Sequence, residues 1–227
     1  IEIDPAYAPA YAARAKALTL LSDRPGSYGT IPAKEALTRS REDVGKALQL
    51  DPELADGHAV MGLINADLGR PDFAVSSLRR ALELNPNSLD ARNWLALALT
   101  FNGRLRDVAE QLQTLVDIDP LYPPGVNNAI LYNVRIGEIE TARQIGERYI
   151  SAVGSDRERA LTQSDLLWSV EGRAADSMLL QESIGIEKLD SGSIAELAWG
   201  YLALGVIDEY EGEAKVLFGM VRDALRS

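Results

Sequence analysis

Cysteine is absent from the 227-residue sequence, which removes disulfides, thiolate metal sites and a cysteine nucleophile from the account. Aromatic residues are scarce, with three Phe and three Trp in a chain that is 46% hydrophobic. Its apolar surface therefore comes mainly from the Ala and Leu of helices rather than from aromatic, β-branched strands, and an all-α protein is expected. Basic clusters are missing too, and 34 Asp plus Glu outweigh 23 Lys plus Arg to give a formal charge of −11. A nucleic-acid backbone is repelled by such a surface, so nucleic acid is not an expected partner. No apolar run approaches the roughly 18 residues that cross a bilayer, and the N-terminus lacks the basic-then-apolar order of a signal peptide. Membrane insertion is not expected, and a cytoplasmic location is.

Chemical groups are equally sparse. His58 is the one histidine; without a second His or any Cys it reads as a packed side chain satisfied by one hydrogen bond rather than as a base or ligand. Asp51, Glu53 and Asp56 have the composition of a metal cluster but fall at a helix start, where carboxylates favour the positive end of the dipole. The stretches "GRPDFAV" and "GRLRDVA" lack the glycine spacing and the Lys-Ser/Thr pair of a phosphate loop. No catalytic residue, cofactor or metal is expected.

What the chain does have is a recurring phrase: "IEIDP" from Ile1, "LQLDP" from Leu48, "LELNP" from Leu82 and "VDIDP" from Val116. Each follows helical apolar spacing, and proline disfavours helical backbone at the residue before it, so each phrase closes one helix before the next opens. In "NPNSLDARNWLALAL" either Asn87 or Ser88 can cap that next helix. Pro52, Pro86 and Pro120 are 34 residues apart, and the next step falls on Gly154. Such a fixed period marks an array of repeats. Ile1–Asp4 reads as the last turn of a helix that starts upstream, so the chain is expected to be a piece of a longer protein.

Between Ala55 and Pro86, Met61, Gly62, Gly69, Ala74, Leu78, Ala81 and Pro86 stand where the 34-residue tetratricopeptide pattern has its Leu-Gly pair, turn Gly, Ala, Phe, Ala and Pro. The stretch resembles that family, although His58 and Asn65 stand at its Trp and Tyr positions. The next unit keeps Leu95, Ala96, Gly103 and Leu112, and sets Trp94 two places late. Pro123–Pro124 suit a helix start, and Gly137 and Ala142 continue the pattern. The first unit carries 13 surplus residues, "SDRPGSYGTIPAK", read as a loop between helices near Ala8–Leu21 and Ala33–Leu50. Ser155-x-x-Glu158 and Ser193-x-x-Glu196 are capping-box patterns, and Gly172 breaks the fifth unit.

The resemblance implies a right-handed α-solenoid of about six helix-turn-helix repeats. They fall near 5–52 (with the insertion near 22–34), 53–86, 87–120, 121–154, 155–190 and 191–227, as a single superhelix. The first half also resembles tetratricopeptide tails of bacterial signalling proteins, such as class III adenylate cyclases and winged-helix regulators. Those tails are regulatory or adaptor regions.

In such an array the first helix of each pair lines a concave groove. Projecting those helices puts Asn93, Trp94, Leu97 and Phe101 of the third repeat, and Asn127, Asn128, Leu131 and Arg135 of the fourth, on the groove side. The polar set is expected to be exposed, because unpartnered buried amides and guanidinium are costly, while Trp94 and Phe101 are expected to pack between neighbouring units. The function expected is a non-catalytic scaffold that holds a protein or peptide segment in this groove. The alternative is an oligomerisation module for a parent enzyme or transcription regulator, acting through the inserted loop or through the terminal helix, on which Ile207, Tyr210, Ala214, Leu217, Val221 and Leu225 form one stripe. The Lys and Asn carboxylate clamp of some tetratricopeptide proteins is not reproduced: Lys16 and Asn93 are suitably placed, but Leu63 and Asp67 lie between them.

Overall fold

The computed structural model describes residues 1, 4–23, 29–101 and 103–185. The Ser193 capping box and the Ile207–Leu225 stripe lie outside the described residues, as does the sixth repeat. The described part is helical throughout, in ten helices, with one isolated bridge between Ser22 and Ile31. The chain falls into two compact units, Ile1–Tyr132 and Asn133–Ser227.

The first unit contains α1 (Ala8–Leu20), α2 (Ala33–Leu50), α3 (Ala55–Asp67), α4 (Pro71–Leu84), α5 (Leu89–Thr100), α6 (Leu105–Ile118) and most of α7 (Pro123–Arg135). The second contains α8 (Ile139–Ala152), α9 (Asp156–Ser169) and α10 (Ala174–Ile184). In the first unit each helix packs on the next, α1 on α2, α3 on α4 and α5 on α6, and α1 also touches α3 as α3 touches α5. That i to i+2 contact stacks hairpins in register. Ala15, Val44, Val60 and Ile64 form one shared core between the first two hairpins, with Leu37, Leu48, Met61 and Leu68 packed around it.

The corners explain the recurring phrase. Asp51, Asn85 and Asp119 are extended, with φ of −141°, −138° and −138°, as a residue before proline should be. Each carbonyl accepts from the amide three residues on, at 3.2 Å from Leu54, 3.2 Å from Ser88 and 3.4 Å from Tyr122. Each side-chain Oδ1 also accepts from the amide two residues on, at 3.0 Å from Glu53, 3.2 Å from Asn87 and 2.9 Å from Leu121. Asp4 does the same with Ala6 at 2.9 Å. The Asp or Asn is therefore required as the acceptor of an Asx turn, and the proline as the residue that presets its second position.

The turns after α3, α5, α7 and α9 each carry a glycine, Gly69, Gly103, Gly137 and Gly172, with φ between 66° and 84°, a left-handed conformation costly for residues with Cβ. At Gly69 the amide reaches Ala66 O at 2.9 Å and that of Arg70 reaches Asn65 O at 2.9 Å, the paired bonds of a Schellman end. Helix starts follow the sequence signals: Ser88 Oγ accepts from the Ala91 amide and Ser155 Oγ from the Glu158 amide, each at 3.3 Å. Glu158 does not complete the reciprocal half of the box as a bond to Ser155. Its Oε2 accepts instead from the Tyr149 hydroxyl at 3.3 Å.

Close approach within a hairpin rests on small residues. A Cβ on Gly62 of α3 would stand 2.4 Å from Cγ of the fully buried Leu78 of α4. At the insertion, Asp23 and Ile31 are tied through the Asp23 amide to Ile31 O at 2.8 Å and the Ile31 amide to Leu21 O at 3.0 Å. The Asp23 Oδ1 also accepts from the first amide of α2, that of Ala33, at 2.7 Å.

Candidate functional site

Because α3 touches both α1 and α5 in the first unit, the outward faces of the three helices form one wall. A cleft of about 170 Å³ opens in it, lined by Ala12, Ala13 and Lys16 of α1, by Asp56, Ala59 and Val60 of α3, and by Ser88, Asp90 and Trp94. Its floor is small because Ala12 and Ala59 are buried and carry only a methyl group. Its rim is polar. Lys16 Nζ pairs with Asp90 Oδ2 and lies 5.7 Å from the centre of the Trp94 ring. Asp90 Oδ1 accepts from the Tyr122 hydroxyl at 2.8 Å.

Further along, α5 and α7 are joined by side chains. The buried Asn93, 5% exposed, accepts on Oδ1 from Asn128 Nδ2 at 2.9 Å. The hydroxyls of Thr100 and Tyr132 lie 3.0 Å apart. With Asp90 and Tyr122, these contacts make a polar seam between successive repeats.

The residues singled out from the sequence divide accordingly. Trp94 lines the cleft, half-buried, and Leu97 is half-buried one turn on. Asn127 and Leu131 are exposed on α7, and Asn128 is half-buried on Asn93. Arg135 is exposed at the end of α7, within the second unit. Two placements differ from the expectation. Asn93 is buried, since the cost of burying its amide is offset by the Asn128 partner that helical projection of α5 alone did not supply. Phe101 is 72% exposed because it is the C-cap of α5, one residue past the last helical position, Thr100. Asp90 is not among the residues singled out from the sequence, Asp56 is read there only as part of an acidic helix start, and Lys16 is set aside with the clamp; the available signal was Asp90 and Trp94 at i, i+4 on one helix face.

A second, wider hollow of about 630 Å³ lies over α4, lined by Asp72, Val75, Ser76, Arg79, Arg80, Glu83 and Arg104. Its charges are largely compensated, Arg80 by Glu83 and Glu53 and Arg104 by Asp107. His58 donates from Nε2 to Pro52 O at 2.9 Å. Asp51, the first member of the acidic group at the start of α3, is engaged by Oδ1 in its Asx turn. Among the described residues no group of three or more His, Cys, Asp or Glu could hold a metal ion, and no helix is long and apolar enough to cross a membrane.

No protein-family model matches the chain. Among curated proteins it is similar to the human PEX5-related protein, 26% identical over 151 residues, 55% of this chain and 23% of that protein. The mouse PEX5-related protein is 29% identical over 114 residues, 47% of this chain and 19% of that protein. The chain thus matches about a quarter or less of the length of these relatives. Among solved structures it is similar to PilW, a type IV pilus biogenesis factor, with a TM-score of 0.68 at 17% identity, covering 96% of this chain and 98% of that one. PilF of Pseudomonas aeruginosa gives 0.63 at 17%, covering 93% and 96%, and a tetratricopeptide repeat protein from Parabacteroides merdae gives 0.63 at 15%, covering 94% and 79%. Together with the helix pairs and their phased corners, these likenesses give the chain the tetratricopeptide type of fold, an α-solenoid of helical repeats.

Proposed function

We propose that the chain is a non-catalytic interaction scaffold that holds a peptide or protein segment against the wall of α1, α3 and α5. The observation that carries this reading is the cleft itself: three first helices in contact, small residues at the floor and Trp94 with charged side chains at the rim. Proteins with this kind of fold generally bind other proteins, and the wall offers what a peptide needs, an apolar slot with a few placed polar groups. Leu97, Asn127, Asn128 and Leu131 extend the surface, with Leu131 and Asn127 open to a ligand and Asn93 positioning Asn128 from beneath. Phe101 joins the proposed surface through its exposure, and Arg135, exposed in the second unit, is proposed as a contact residue of that unit by itself. The whole chain is read as one array of about six repeats, and its setting as a cytoplasmic regulatory or adaptor segment of a bacterial signalling protein.

The test is a set of peptide binders selected by display on the 227-residue chain, followed by titration against Trp94→Leu, Asn127→Ala and Leu131→Ala. Loss of binding of roughly tenfold or more for Trp94→Leu, and smaller losses for the other two, is expected of central and peripheral contacts. Undiminished binding by all three variants would refute the assigned surface.

A further inference from the structure

The cleft already holds a cation, and it is the chain's own. Lys16 reaches from the middle of α1 to α5, where its ammonium meets the Asp90 carboxylate and stands 5.7 Å over the Trp94 ring. Asp90 is held from its other side by the Tyr122 hydroxyl at 2.8 Å, so its carboxylate stays aimed into the cleft. Asp56 lines the same cleft from α3, exposed, and has no hydrogen-bonded or ion-pair partner among the described residues. Two carboxylates and an indole face form a receptor for an ammonium or guanidinium group, and the resident lysine is paired with Asp90 alone.

Resting on the groove reading above, we infer that this cleft recognises a lysine or arginine side chain of a basic peptide segment, and that Lys16 is the resident occupant the incoming cation displaces. Among the described residues Lys16 is the one basic residue lining the cleft, against Asp56 and Asp90, in a chain of net charge −11. The pair is open to exchange: the Lys16 and Asp90 side chains are 40% and 33% exposed, so solvent screens the ion pair and releasing Lys16 strands no buried charge. Lysine's ammonium rides on a flexible four-carbon stem, and the alanine floor leaves room beside it for a second aliphatic stem. An acidic ligand is disfavoured in the same place, because it meets Asp56 and finds Lys16 already neutralised. This also accounts physically for the missing carboxylate clamp: the lysine at the suitable position is turned onto an aspartate of its own chain.

The experiment uses the ¹⁵N-labelled full chain titrated into the millimolar range with acetylated, amidated decapeptides of alternating Lys and Ser. Two control series replace Lys with Gln or with Glu. The readouts are the Trp94 indole N–H, assigned by its disappearance in Trp94→Leu, and the amides of Ala59 and Val60. The lysine peptide is expected to shift these signals and the glutamate peptide to leave them in place. Lys16→Ala is expected to tighten the lysine peptide, and Trp94→Leu to weaken it, each by roughly two- to fivefold, the worth of an exposed cation–π contact. Asp90→Asn should weaken it as well. Unchanged amide spectra away from the cleft check that the variants fold. Gln or Glu peptides binding at Trp94 as tightly as the lysine peptide would overturn the basic specificity and leave the groove standing. So would a Lys16→Ala chain with no gain in affinity. An inner wall silent to all three peptides would overturn both the specificity and the groove reading on which it rests.

Discussion

Exchanging glycine for alanine inside a helix should have opposite signs at two places in the first unit. Gly45 lies within α2, and a Cβ there meets nothing within 4 Å. Gly45→Ala then gains helix propensity alone, about 0.5–1 kcal/mol. Gly62 lies within α3, and a Cβ there falls 2.4, 2.9 and 3.1 Å from Cγ, Cδ2 and Cδ1 of Leu78. Leu78 is 0% exposed, so it can yield only by pushing α4 away. Overpacking of this kind costs about 1–3 kcal/mol, which the propensity gain only partly offsets, leaving a net loss of up to about 2.5 kcal/mol. For a chain of this size that is a midpoint lowered by up to roughly 10 °C, against a rise of up to roughly 4 °C for Gly45→Ala. Thermal unfolding followed by helical circular dichroism reads both. The double variant Gly62→Ala with Leu78→Ala should be less unstable than the sum of the singles, because the added methyl fills part of the cavity. A Gly62→Ala chain as stable as Gly45→Ala, or strictly additive behaviour with Leu78→Ala, would refute the close-approach argument.

Asn93→Ala is expected to cost about 1–2 kcal/mol, since it opens a buried site and strands Asn128, whereas Asn127→Ala on the exposed face should change stability by less than about 0.5 kcal/mol; urea unfolding of the two variants separates them. Asp119→Ala removes the acceptor for the Leu121 amide and should cost about 1 kcal/mol, while Asp119→Asn, which keeps that acceptor, should cost much less in the same assay. Burial, and then the neighbouring Glu158 carboxylate, push the Tyr149 hydroxyl up to about 12. The folded state thus favours neutral Tyr149, and the stability this confers is full below pH 10 and lost as pH rises from about 10 through about 12. The midpoint of the parent chain should therefore fall more steeply over that range than that of Tyr149→Phe, and parallel curves would contradict the assignment.

The corners and hairpins were legible in the sequence because each is fixed by a local device. Proline after Asp or Asn bends the chain after α2, α4 and α6, and a glycine with positive φ follows α3, α5 and α7 at the 34-residue spacing of Gly69, Gly103 and Gly137. The reason for Asp or Asn in the phrase became visible only in the turn, where Oδ1 finds the amide two residues on. The site was less legible because its contacts join repeats. Helical projection places Asn93 and Asn128 on groove-facing sides of their own helices, but whether two amides face a ligand or each other depends on how α5 and α7 approach. Lys16 and Asp90 are 74 residues apart in sequence, and no periodicity within either helix pairs them. Phe101 misled for the opposite reason: its apolar side chain follows the helical stripe, yet the helix has ended.

The central claim is that recognition belongs to the wall shared by α1, α3 and α5. Amide hydrogen exchange on the full chain, with and without a display-selected peptide, tests it most directly. Slowed exchange clustered on Ala8–Leu20, Ala55–Asp67 and Leu89–Thr100 is the expected result. Protection confined to α2, α4 and α6, with those three helices unchanged, would contradict it.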